Sequence, residues 1–155
     1  MKNNVKYIVQ AGLIAAIYTV LTLTFEFMGF GPIQFRISEV LTVLPYFTPA
    51  AVPGLFIGCL ISNFMGGAHQ LDIIFGSLAT LVAAYASYRL RGKPHLVPFP
   101  PILVNMIVVP FILKATMGAP FWMTVITVGL GQTVACYGLG YPFMRILAKH
   151  NHIFK

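Results

Sequence analysis

Only three carboxylates occur in this chain of 155 residues, Glu26, Glu39 and Asp72, and each falls at the predicted end of an apolar segment. The chain is 58% hydrophobic and 8% charged, so its few ions have little water to share inside the fold. A charged side chain in the middle of a bilayer costs roughly 2.5–3.5 kcal/mol on insertion scales and marks a functional site by default. The three acids are expected on one membrane side and most basic residues on the other. They would then form the floor or wall of a site open to the outer face. Such a site suits a ligand with cationic or N–H donor groups.

Other polar residues extend the set. Arg36 and Glu39 lie three residues apart at the start of the second predicted helix, close enough to pair. That pair is either structural or part of the site. Asp72 opens the fourth helix, where N-capping and ligand contact both account for a carboxylate. Asn63, Asn105 and Gln132 fall within predicted spans. An amide there serves as interhelical glue or meets the donor and acceptor edge of a heterocycle.

These residues need helices to hold them. A membrane helix takes ~20 mainly apolar residues. One candidate runs from about Tyr7 to Phe25, a fourth from Leu71 to Tyr88, a fifth from Pro101 to Leu113 and a sixth from Phe121 to Leu147. The stretch Ile37 to Met65, interrupted by Pro45, Pro49 and Pro53, reads as one span or two. Charge decides by parity. Two short helices put Lys2, Lys6, Arg89, Arg91, Lys93, Arg145, Lys149 and Lys155 on one side, leaving Arg36 and Lys114 on the other. The positive-inside rule prefers that arrangement. The expectation is an all-α, single-domain membrane protein of six spans covering residues 1–155, with both termini cytoplasmic and a retained first span.

The outer connections then gather Glu26 to Arg36, Gly66 to Gln70 and Lys114 to Pro120. The first is rich in glycine and aromatics and suits a cover over the site, or an aromatic belt at headgroup depth. Trp122 reads as an interfacial anchor. On the first helix Ala11-x-x-x-Ala15 offers one small-residue face, and Gly54-x-x-x-Gly58 repeats the spacing on the third.

Some functions are disfavoured. No G-x-x-x-x-G-K-[ST] loop is present, so ATP hydrolysis by that route is not expected. His69, His95, His150 and His152 form no metal-binding spacing, and no nucleophile–base arrangement stands out. The net charge of +7 comes in short runs between apolar stretches, the pattern of cytoplasmic loops rather than of a nucleic-acid surface. Cys59 and Cys136 lie inside predicted helices and read as small apolar residues. Binding and transport without a cofactor are favoured over catalysis.

The run Gln34-Phe35-Arg36-Ile37-Ser38-Glu39-Val40-Leu41-Thr42, continuing through Leu44-Pro45 and Thr48 to Cys59, resembles the queuosine-precursor transporter (QueT-like) family. So do Leu71-Asp72-Ile73-Ile74-Phe75-Gly76 and Pro100-Pro101-Ile102-Leu103-Val104-Asn105. The resemblance implies a substrate-binding S component of an energy-coupling-factor (ECF) transporter in a bacterial cell membrane. It implies capture of ligand outside, docking on a membrane scaffold (T) subunit with two cytoplasmic ATPases, and delivery by toppling. The face of Ala11 and Ala15 resembles the docking motif for that scaffold. The implied ligand is a 7-deazaguanine such as 7-aminomethyl-7-deazaguanine, or queuine. Glu39 and Asp72 would then take its N–H edge and its amine, and Asn63, Asn105 and Gln132 the other ring atoms. Phe30 or Phe35 would stack on the ring. A stand-alone carrier and a small structural membrane subunit are the rival readings.

Overall fold

The computed structural model describes residues 2–29 and 35–150. Among them every regular element is helical. Helix α1 spans Lys2–Thr24 and is followed by a single turn, α2, at Glu26–Gly29. A 3₁₀ helix occupies Ile37–Tyr46, and α3 spans Ala51–Met65. A π-helical segment, Asp72–Gly76, leads straight into α4 at Ser77–Arg89. After a 3₁₀ turn at Pro94–Leu96 come α5 (Phe99–Met117) and α6 (Phe121–Thr133). A second π segment, Val134–Gly140, joins α6 to α7 at Tyr141–Lys149.

The apolar segments expected from the sequence are thus all helical. Three of them, Asn3–Thr24, Pro94–Met117 and Phe121–Lys149, are long and apolar enough to cross a membrane. The ambiguous stretch is two shorter apolar helices, Ile37–Tyr46 and Ala51–Met65. Helix α5 runs beyond the expected Leu113 because Gly118, at φ 66°, takes the left-handed position that closes it. Its N–H reaches the Leu113 and Lys114 carbonyls.

Two short helices leave a proline-rich break inside the bundle, and the packing accounts for it. Thr48, Ala50 and Ala51 at the break are buried. Thr48 Oγ1 donates to Gln10 Oε1 at 2.9 Å, and the Ala50 N–H donates to Thr48 Oγ1 at 3.2 Å. The irregular backbone is thus covered by protein, with its polar groups paired inside the fold. Val43, Val97 and Met144 pack beneath the break, with Tyr46, Phe47 and Tyr141 around them. Ser87 Oγ donates to the Val97 carbonyl at 2.8 Å and ties the α4–α5 connection to the same place.

The closest helix pairing is α1 on α3. A Cβ built on Gly54 would sit 2.8 Å from the Ala11 carbonyl oxygen, and one on Gly58 would sit 2.8 Å from Tyr18 Cβ and 2.9 Å from the Ala15 carbonyl oxygen. The two small-residue motifs therefore face each other, backbone against backbone. Thr19 Oγ1 lies 2.8 Å from its own-helix Ala15 carbonyl and 3.2 Å from the Gly58 carbonyl across the interface. Ile14, Tyr18, Leu41, Leu44, Leu55 and Cys59 build the core around this contact. Outward positions such as Ile8, Leu13, Val82, Ile107 and Ile126 are exposed apolar side chains, as a lipid-facing surface requires.

Candidate functional site

Polar side chains from eight helical elements converge around two adjoining hollows. The outer cavity has a volume of about 250 Å³ and is lined by Phe25, Glu26, Arg36, Asn63, His69, Asp72 and the α5 residues Val109 to Met117, among others. The inner chamber holds only about 20 Å³, lined by Arg36, Glu39, Asp72, Thr80, Asn105 and Gln132 with Gly76, Val109 and Val128. Space of that size takes about one water molecule. Arg36 and Asp72 belong to both and form the partition between them.

That partition is an ion pair. Arg36 Nη2 lies 3.3 Å from Asp72 Oδ2, with the two side chains 31% and 21% exposed. The expected partner of Arg36 was Glu39, and the structure corrects this. Arg36 is the cap before the 3₁₀ helix, with extended backbone angles of φ −110° and ψ 112°. Its side chain does not stack over Glu39 as it would one helical turn away. It reaches instead to the π segment at Asp72.

Glu39 turns to α1. Its Oε1 accepts the Tyr18 hydroxyl at 2.9 Å, and the carboxylate side chain is buried with Tyr18 beneath it. The tight 3₁₀ winding stacks residues three apart. Thr42 accordingly lies over Glu39 and donates to its backbone carbonyl at 2.6 Å. Next to them sit Cys136 Sγ, 3.6 Å from Thr42 Oγ1, and Gln132 Oε1, 3.6 Å from the same sulfur.

Asp72 is not a helix cap. The residue before its segment, Leu71, makes no side-chain cap bond, and Asp72 stands within π-helical backbone. A π turn carries an extra residue and re-aims the side chains on it. Gly76 makes room for the result, since a Cβ there would lie 2.5 Å from Asp72 Oδ1. Asn63 Nδ2 donates to the Asp72 carbonyl at 3.2 Å and fixes the same turn from α3.

Of the residues expected to bind ligand, Arg36, Glu39, Asp72, Asn105 and Gln132 meet at the inner chamber. Asn63 joins Arg36 and Asp72 at the outer cavity. The loop residues Gly66 to His69 line the outer cavity as well. Phe30 lies outside the described residues. Phe35 is half-buried and lines neither hollow; the aromatic at the outer cavity is Phe25. Tyr18, Thr80 and Gly76 join the site without having been singled out. A tyrosine in an apolar helix reads as packing until its hydroxyl is seen to meet a carboxylate.

The docking face expected at Ala11 and Ala15 is also corrected. Both side chains are buried, and the chain's own α3 fills that side through Gly54 and Gly58. The small residues on the exposed side of α1 are Gly12 and Ala16, with nothing within 4 Å of a Cβ built on Gly12.

Comparison with known proteins adds an independent line. The sequence model of the family described as "QueT transporter" matches residues 8–149. A curated relative, the "Queuosine precursor transporter QueT" of Lactococcus lactis subsp. cremoris (strain MG1363), is 41% identical over 85 residues. That alignment takes in 53% of this chain and about half the length of the relative, 50%. No solved structure matches.

Proposed function

The chain belongs to the QueT transporter family, and from that premise we propose that it is the substrate-capture (S) subunit of an ECF-type importer for queuosine precursors. The cargo is a 7-deazaguanine: the 7-aminomethyl form, a related base, or queuine. Supporting this reading is the convergence of Asp72 and Asn63 on a cavity of about 250 Å³, a volume suited to a small fused-ring base. Ligand pockets for drug-sized molecules are larger, ~300–1,000 Å³.

In this reading the ring enters the outer cavity with its N–H edge toward Asp72. Adjacent N–H groups compete with Arg36 for the carboxylate, since charge-assisted pairs of this geometry are the strong ones. Glu39, Asn105 and Gln132 form the deeper wall, reached as the Arg36–Asp72 pair parts. Tyr18 holds Glu39 in place and Phe25 offers its ring to the base. The chain crosses a bacterial cell membrane six times with both termini in the cytoplasm. It docks on a scaffold subunit joined to two ATPases, and it carries no nucleotide loop of its own. With Ala11 and Ala15 enclosed, the open face of α1 with Gly12 and Ala16 is the place for that docking.

Calorimetry on the purified protein with the aminomethyl base, the nitrile base and queuine tests the ligand. Binding of at least one, weakened by Asp72→Asn, is expected; no binding of any of them removes the reading. Uptake into vesicles tests the machinery. Dependence on scaffold and ATPases is expected, and uptake by this chain alone would make it a self-sufficient carrier.

A further inference from the structure

Three acids reach the site region, and their surroundings are not alike. Asp72 is neutralised by Arg36 at 3.3 Å. Glu39 is buried, takes the Tyr18 hydroxyl, and faces only the small inner chamber. Glu26 lines the outer cavity and has no hydrogen bond or ion pair among the described residues.

Its position is built. Glu26 Oε1 rests against Gly66, where a Cβ would come within 3.1 Å of it. Gly66 is the C-cap of the 15-residue helix α3. The end of a helix carries a partial negative charge of about half an electron from its carbonyls. A carboxylate held there meets potential of its own sign, and an incoming cation is attracted by both. Of the other groups around the cavity, Arg36 is paired with Asp72 at 3.3 Å. His69 Nδ1 accepts the Leu71 N–H at 3.2 Å.

We propose that Glu26 is the carboxylate that receives an ammonium group on the ligand, and that it sets the preference for amine-bearing bases over neutral ones with the same ring. This rests on the 7-deazaguanine reading above and divides the labour within it. The ring edge belongs to Asp72 and the substituent to Glu26. No covalent step is involved; the ammonium exchanges water for the carboxylate and the α3 carbonyls.

The test uses the full chain in detergent, titrated with 7-aminomethyl- and 7-cyano-7-deazaguanine. A hydrogen bond to a charged group is worth enough to shift affinity about 10- to 100-fold. Glu26→Gln should lower the ratio of amine to nitrile affinity by that factor. Gly66→Ala, which crowds the carboxylate without removing it, should lower the same ratio. It decides the matter if Glu26→Gln does not fold. An unchanged ratio in a folded variant overturns the assignment while leaving the ligand reading intact. If the unaltered protein binds neither of these two bases the assignment falls, and the ligand reading falls with it only if queuine is not bound either.

Discussion

Tyr18 and Glu39, 21 residues apart in sequence, meet at 2.9 Å, both buried. The contact joins α1 to the 3₁₀ helix and satisfies one oxygen of a buried carboxylate. Removing one side of such a pair leaves the other desolvated without a partner. Tyr18→Phe should therefore destabilise the protein by about 1–3 kcal/mol, read as a lower unfolding midpoint in detergent. Combined with Glu39→Leu the two losses should be less than additive, because both remove one interaction. Full additivity would show that the hydrogen bond contributes nothing.

Arg36 and Asp72 are only partly buried, so their pair should matter more for binding than for folding. Partly exposed ion pairs contribute roughly 0–1 kcal/mol to stability. Arg36→Gln should leave the unfolding midpoint nearly unchanged and free Asp72 for the base. Tighter ligand binding by Arg36→Gln, and weaker binding by Asp72→Asn, is the expected pattern in calorimetry. Loss of binding in both would mean that Arg36 itself holds the ligand.

Gly58 and Gly12 give opposite expectations one turn apart on facing helices. A methyl at Gly58 would meet Tyr18 Cβ at 2.8 Å, whereas a methyl at Gly12 meets nothing within 4 Å. Gly58→Ala should destabilise by about 1–3 kcal/mol through overpacking. Gly12→Ala should not, since alanine is the better helix former. Gly12→Leu should spare ligand binding by the isolated subunit yet abolish scaffold-dependent uptake. Uptake that survives Gly12→Leu would put the docking face elsewhere.

At the proline break, Gln10→Leu removes the acceptor of the Thr48 hydroxyl. A loss of about 1 kcal/mol is expected for a neutral hydrogen bond of this kind. Faster hydrogen exchange at the Ala50 and Ala51 amides, with the core helices unchanged, would locate the effect. Exchange rising equally throughout would show a global loss instead.

Most of the site residues were legible from residue type alone. In a chain this apolar, Glu39, Asp72, Asn63, Asn105 and Gln132 stand out because each needs a partner wherever it is buried. Their mutual geometry was not legible. Facing depends on helical phase, and a 3₁₀ helix and two π segments shift it in ways that regular i, i+3 spacing does not carry. This is why Arg36 reaches Asp72 rather than Glu39. The small-residue faces were visible, but spacing says only that some helix approaches, not which one. Reading Ala11–Ala15 and Gly54–Gly58 as each other's complement would have found the α1–α3 contact.

The backbone contact between α1 and α3 shapes one side of the outer cavity. Two walls of the outer cavity, around Thr22 and Asn63, stand on that fused pair and so keep a fixed spacing. The opposite wall, Val109 to Met117, belongs to α5, whose inner turns include Pro110 and whose tip ends at Gly118. Proline removes one rung of the helical ladder at that level. The outer cavity thus has one side formed by a tightly packed helix pair and the other by a helix that lacks one backbone hydrogen bond at Pro110.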